Sequence, residues 1–235
     1  MNKIKLFCFP YAGGAAIIYE NWRQFSNLRI EVKPVELAGH GKRFNDTPYD
    51  SLEEAVEDLF QIIIEEIKEH DYAFFGHSMG STIAYELALK IKELNVRQPK
   101  HLFFSGKGAP DVKEKKDKKY HLLDEVQFKK KILKLGGTPE EFFEHPDLLE
   151  LFIPILRNDF KLASTSFETR KLSPFECEIS ILLGKDEEIS AEQVYGWRNH
   201  TNKTCSIYFF NGNHFFLNHE GKELFRVIKN SLQPK

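Results

Sequence analysis

Hydrophobic residues fall into short clustered runs separated by stretches of helical spacing over the first two-fifths of the chain. Residues 4–9 form an apolar run closed by Pro10 and a Gly13-Gly14 pair, a strand followed by a loop. Residues 30–35 alternate and stop near Pro34, a second strand. Residues 51–70 place Leu52, Ala55, Val56, Leu59, Phe60, Ile63 and Ile67 on one face at i, i+3, i+4, i+7 spacing, and seven acidic side chains on the other positions. Ser51 and Glu54 are spaced for a capping box at its start. Residues 72–75 read as a strand, 80–94 as a helix and 101–105 as a strand. This rhythm predicts an α/β fold: a mostly parallel sheet with helices on both faces, joined by right-handed crossovers.

The alternation stops between Gly106 and about Leu172. A lysine-rich loop comes first, then helical patterns over 123–135, 139–144, 146–157 and 159–167, with no strand between them. Strand patterns return at 179–183 and 206–210, around an amphipathic helix at 190–200, and a helix over 220–232 closes the chain. The expected organisation is a core of residues 1–110 and 173–235 carrying a helical insertion, 111–172, over one end of the sheet. No internal repeat or low-complexity segment interrupts it.

Composition narrows the function. The chain has 235 residues, 41% hydrophobic and 29% charged, enough apolar material for a folded domain. Its 33 basic and 35 acidic residues nearly cancel, which disfavours nucleic acid as a partner. Cys8, Cys177 and Cys205 show neither a disulfide framework nor metal-ligand spacing, so no metal site is expected and a reducing, cytoplasmic setting is. No apolar run approaches the ~20 residues a membrane helix needs. Pro10 also breaks the first apolar stretch far short of a signal-peptide core. There is no P-loop and no HExxH, and Gly106-Lys107-Gly108 lacks the third glycine of a dinucleotide turn.

One pentapeptide carries chemistry. Gly76-His77-Ser78-Met79-Gly80 fits G-x-S-x-G directly after a strand pattern and before a helical one, the setting of a nucleophile elbow. Such a turn lifts Ser78 above the sheet and aims a helix N-terminus at a developing oxyanion. Serine needs a base. His214 follows the last strand through the Asn211-Gly212-Asn213 turn and is preferred to His219, while the elbow should turn His77 away. The acid belongs beyond the strand at 179–183, where Asp186, Glu187 and Glu188 stand. Spacing counted from Gly184 selects Glu187; spacing counted back from Ile189 selects Asp186. Asp186 is favoured as the shorter, commoner partner, with Glu187 the alternative.

The chain resembles the type II thioesterases of the α/β-hydrolase superfamily, stand-alone editing enzymes that accompany non-ribosomal peptide and polyketide synthases. The resemblance rests on Phe9-Pro10-Tyr11-Ala12-Gly13-Gly14, on Phe75 to Gly80, and on Gly136-Gly137-Thr138-Pro139. It extends to Leu156-Arg157-Asn158-Asp159-Phe160 and to Gly212-Asn213-His214-Phe215-Phe216-Leu217, in the family's order across nearly the whole chain. It departs at Leu37-Ala38-Gly39-His40-Gly41-Lys42-Arg43, where the family's L-P-G-R-G-x-R has lost its proline and its first arginine.

The resemblance implies an α/β-hydrolase fold, an acyl-serine mechanism, and an oxyanion hole from the backbone N–H groups of Ala12 and Met79. It implies acyl groups on the phosphopantetheine arm of carrier proteins as substrate, no further cofactor, and a helical lid shaping the acyl channel. Tyr11, Phe215, Phe152 and Phe160 are the candidate substrate contacts, with Phe142 and Phe143 as further lid aromatics. Residues 107–134 hold ten lysines against five acidic residues, a rim suited to an acidic carrier protein. A monomer is expected. The competing expectations are a general acyl esterase, a peptidase or a fatty-acyl thioesterase on the same scaffold, and, in another class, a carrier-protein-binding module without catalysis.

Overall fold

The computed structural model describes residues 3–26, 29–113, 119–137, 145–165 and 171–233. Six strands form one parallel sheet: β1 (Ile4–Phe9), β2 (Ile30–Pro34), β3 (Tyr72–His77), β4 (His101–Ser105), β5 (Glu178–Gly184) and β6 (Cys205–Phe210), in the order β2-β1-β3-β4-β5-β6. Every adjacent pair is parallel, with Leu6 opposite Val32 and Ala73, and Leu182 opposite Ser105 and Tyr208. The central strands are buried on both faces, which explains their near-continuous apolar runs.

Side chains along each strand alternate between two cores. Phe7, Phe9, Phe74, Leu102, Phe104 and Ile181 face the core closed by α1 (Leu52–Glu69) and α2 (Met79–Glu93). Leu6, Cys8, Phe75, Phe103 and Leu182 face a second core, closed by a 3-10 helix at Ala16–Phe25 and by α6 (Gly221–Ser231). That 3-10 helix buries Ala16, Tyr19 and Trp22, a spacing of three suited to its eclipsed geometry. The Ser51 side chain caps α1 by accepting the Glu54 N–H, as expected, but the Glu54 carboxylate accepts the Asp50 N–H, so the reciprocal box does not close.

Between β4 and β5 the described residues hold α3 (Glu125–Leu135) and α4 (Pro146–Ala163) and no strand. They share a small core of Phe128, Ile132 and Leu156. The expected break near Asn158 does not occur: α4 is one helix running through Pro154. Asn158 and Asp159 do not end it, because both side chains find their partners on the core loops rather than on their own backbone. The expected helix at 139–144, with Phe142 and Phe143, lies outside the described residues. The pattern at 190–200 is a short α5 (Ala191–Gly196) followed by a 3-10 turn at Trp197–His200, with a full capping box at Ser190 and Gln193. No helix among the described residues is long and apolar enough to cross a membrane.

Strand order reverses at β1, whose neighbours are β2 on one side and β3 on the other. The loops leaving β1 and β3 therefore diverge at the carboxyl edge of the sheet, where open α/β sheets form a crevice.

Candidate active site

The elbow lies at that edge. Ser78 has φ 54° and ψ −112°, in a region L residues avoid, at a cost on the order of 1–3 kcal/mol. Two glycines make room for it. A Cβ on Gly76 would stand 2.1 Å from the Gly80 carbonyl oxygen, and one on Gly80 would stand 2.1 Å from that of Phe9. Below the turn the Ser78 N–H donates to Ser105 O at 2.8 Å. The Ser81 hydroxyl, buried, reaches Gly76 O at 2.7 Å and Ser105 O at 2.9 Å and accepts the Ser105 N–H. These bonds fasten β3, β4 and α2 around the strained residue.

His77 is turned into the interior, as expected, with Nδ1 2.8 Å from Ser105 Oγ. Burial first, and the nearby His214 second, hold its imidazole neutral, well below the usual histidine range. Its ring lies 4.9 Å from that of His214. The loop after β6 thus passes back over β5 and β4 and brings His214 to the elbow. Gly106 (φ 62°), immediately after β4, allows the passage: a Cβ there would lie 2.7 Å from His77 Cε1 and 3.0 Å from His214 Cε1. Nothing local in the sequence marked Gly106 for this role. His219 is exposed beyond this loop.

The carboxylate partner of His214 is Glu187, not the favoured Asp186. Glu187 Oε1 lies 2.5 Å from His214 Nδ1, and its Oε2 accepts the Gly184 N–H at 2.7 Å. The Glu187 side chain is 5% exposed, whereas Asp186 is exposed and is tied in only by its N–H to Gly212 O. The cause is the tightness of the turn. Gly184 presses against the histidine loop, where a Cβ would meet Asn213 O at 2.4 Å, and the chain folds back at once with Glu187 N–H on Gly184 O. That places position 187 inward and 186 outward. With Nδ1 facing Glu187, Nε2 is the nitrogen left for Ser78. No hydrogen bond joins Ser78 Oγ to His214 among the described residues; catalytic bonds of this kind are often long until substrate binds.

Two amides remain available. Neither Ala12 N–H nor Met79 N–H has an acceptor among the described residues. Met79 opens α2, so its N–H is one of the orphan donors of a helix N-terminus. The β1-exit loop is close by, since the Gly80 Cβ position lies 2.8 Å from Pro10 O.

Of the candidate substrate contacts, Tyr11 and Phe215 pack edge to face at 5.1 Å, and Phe215 also meets the His214 ring edge to face. Phe152 stands over the same loop, 2.9 Å from the Gly13 Cβ position. Phe160 is placed elsewhere, half-buried beside the small core of the insertion against Tyr120 and Phe128. Of the lysine-rich rim, residues 114–118 lie outside the described residues. A cavity of about 500 Å³ between β6 and α6, lined by Lys185, Tyr208, Glu220 and Arg226, shares no residue with this site.

Sequence reasoning missed the buried pair His40 and Asp159. Asp159 Oδ2 accepts the Gly13 N–H at 2.6 Å and lies 2.9 Å from His40 Nε2. The signal available was the departure at His40, where the resembled family carries a cation.

Comparison with known proteins places the chain in a family. The thioesterase domain family matches residues 4–232. The chain is 35% identical over 235 residues to the gramicidin S biosynthesis protein GrsT of Aneurinibacillus migulanus, covering 98% of this chain and 90% of that protein. It is 32% identical to the medium-chain S-acyl fatty acid synthase thioesterase of Rattus norvegicus, over 96% of this chain and 85% of that one. Among solved structures, ClbQ from the colibactin NRPS/PKS pathway superposes with a TM-score of 0.91 at 31% identity, over 98% of this chain and 97% of that chain.

Proposed function

The chain belongs to the thioesterase family, and from that premise we propose that it clears acyl groups from phosphopantetheinyl carrier proteins of a peptide or polyketide synthase, through an acyl-serine. The observation that carries the catalytic reading is the bonded pair Glu187–His214 lying over the strained elbow of Ser78, beside two amides without acceptors.

The chemistry follows from the atoms. Ser78 Oγ attacks the thioester carbonyl carbon as His214 Nε2 takes the hydroxyl proton. Glu187 holds Nδ1–H, fixes the tautomer and offsets the imidazolium charge. The Met79 and Ala12 N–H groups receive the tetrahedral oxyanion. The C–S bond breaks and His214 returns the proton to the leaving sulfur. Water, deprotonated by His214, then attacks the acyl-serine and releases the carboxylic acid and free Ser78. The reading needs no metal and no cofactor beyond the arm on the substrate. The enzyme acts as a monomer in this proposal, with residues 111–172 as the lid and Tyr11, Phe152 and Phe215 against the acyl group.

GrsT and ClbQ belong to gramicidin S biosynthesis and the colibactin NRPS/PKS pathway, which supports a synthase-bound substrate here. The rat relative supports a second reading, release of medium-chain fatty acyl groups. Turnover measured on aminoacyl, short acyl and medium-chain acyl groups, each on a carrier protein and on a small thiol, separates the two. Preference for short or aminoacyl carriers supports editing; preference for medium chains irrespective of carrier supports the second. An oxygen ester turned over faster than its thioester points to a general esterase. Failure of a fluorophosphonate to label Ser78 leaves only a non-catalytic binding module.

A further inference from the structure

We propose that Asp159 of the lid and His40 of the loop after β2 form a charged positioning pair that holds the oxyanion loop in register, so that the lid helix takes part in setting the hole. The inference rests on the serine thioesterase reading for its kinetic consequence, but not for its geometry.

The pair is buried, with Asp159 2% and His40 6% exposed. His40 Nδ1 lies 2.9 Å from Ala38 O, and a carbonyl oxygen only accepts, so Nδ1 carries a proton. His40 Nε2 lies 2.9 Å from a carboxylate oxygen, which also only accepts. Asp159 Oδ2 already accepts the Gly13 N–H, which favours its ionised form; opposite that carboxylate both ring nitrogens donate, as an imidazolium does. The other carboxylate facing it is Glu36, after β2, whose own oxygens accept the Ala16 and Lys42 N–H groups. From the β1-exit loop the pair meets an amide, Gly13 N–H, and no charge. Burial alone would lower the His40 pKa, but Asp159, the Ala38 carbonyl and Glu36 together carry it above the usual value.

The same Asp159 oxygen grips the oxyanion loop. Gly14 N–H donates to Tyr11 O at 2.8 Å, which closes a turn over Tyr11 to Gly14 with Gly13 at φ 76°, the pattern of a type II turn. The central peptide of such a turn can flip, and the 2.6 Å bond from Gly13 N–H to Asp159 holds it. Ala12, the proposed oxyanion donor, sits in that turn. The α4 side chains above it are in contact: a Cβ on Gly13 would meet Leu156 Cδ1 at 2.7 Å. The charge of the pair matters as well. A bare carboxylate this close would repel the oxyanion, and the His40 cation offsets it.

The sign of the pH dependence follows. His40 holds the loop while protonated, so the contribution is complete below its raised pKa and is lost as pH rises through it. Arginine at this position, which the resembled family carries, keeps the charge at any working pH. The experiment measures kcat and KM on a small acyl thioester from pH 6 to 10 for the wild type, H40R, H40Q and D159N, together with hydrogen exchange of the Gly13 amide. Expected are a tenfold or greater loss of kcat in D159N with KM within about threefold, faster Gly13 exchange, and the same kcat loss in H40Q. The alkaline fall of kcat in the wild type should move upward in H40R. Wild-type kcat and Gly13 exchange in folded D159N overturn the proposal, as does an unchanged alkaline limb in H40R, a result that stands even if D159N does not fold. If the wild type itself fails to turn over thioesters, the serine thioesterase reading fails, and Gly13 exchange still judges the pair.

Discussion

Replacing Glu187 by glutamine keeps the side-chain shape and removes only the charge and one acceptor. In the native site both oxygens face donors: Oε1 faces His214 Nδ1 at 2.5 Å, and Oε2 accepts Gly184 N–H at 2.7 Å. Glutamine has one oxygen for the two. If its oxygen stays on Gly184, the amide NH2 faces Nδ1, which must then be the unprotonated nitrogen. The proton moves to Nε2, and the base facing Ser78 is lost. If the amide flips, its NH2 opposes the buried Gly184 N–H and leaves that donor unpaired, at about 1–3 kcal/mol. Either arrangement also removes the carboxylate that offsets the imidazolium. A wrong tautomer in such a triad costs on the order of 10⁴ in kcat, or about 5 kcal/mol of barrier. Glu187→Gln should therefore lower kcat on a small acyl thioester by about 10³–10⁴-fold, followed by release of free thiol, with thermal stability close to wild type. Asp186→Asn should stay within about twofold, because its side chain is exposed and only its backbone N–H is bonded. A collapse of kcat in Asp186→Asn with near-normal Glu187→Gln would refute the reasoning.

Three further outcomes are expected. Gly106→Ala places a methyl 2.7 Å from His77 Cε1 and 3.0 Å from His214 Cε1 and should cut kcat more than tenfold. Gly136→Ala, at a similar positive φ with open space around it, should cost only about 1 kcal/mol of stability; equal kcat values for the two would remove the steric account. Burial depresses the pKa of both His77 and His200. Both bind a proton less readily in the fold than in the unfolded chain, so their contribution to stability is intact above about pH 6.5 and declines as pH falls below it. The His40 contribution runs the other way, is complete below about pH 6.5 and is lost only as pH rises above it, so a Tm that stays flat from about pH 6.5 down to about 5.5 would contradict the assignment. Reversing Lys130 and Lys134, exposed on α3, to glutamate should raise KM for a carrier-bound substrate severalfold and leave a small thioester unchanged; equal effects on both would remove the docking rim.

The parts legible in the sequence were those with local signatures. Strands flanked by breakers and a helix with an apolar stripe carry their own periodicity, and β1 and β4 end where that periodicity does. Ser78 was legible because its strained turn demands glycine on both sides. The acid was ambiguous by one residue because two anchors disagreed. The structure resolves it through backbone contact: Gly184 is pinned under Asn213, whereas Ile189 merely follows the turn. The anchor that cannot tolerate a side chain was the one to count from, and it selects Glu187. The 3-10 helix at Ala16–Phe25 escaped notice because its buried residues repeat every three positions, a period that fits neither a strand nor an α-helix. His40 and Asp159 each stand in a motif, but nothing local couples two residues 119 positions apart. What the sequence did contain was a missing arginine, and a lost cation in a buried setting is a statement about its partner. An ionised Asp159 buried there is offset by a cation, and histidine is a residue able to supply one. Histidine meets that demand only while protonated, which turns a fixed anchor into one that answers to pH.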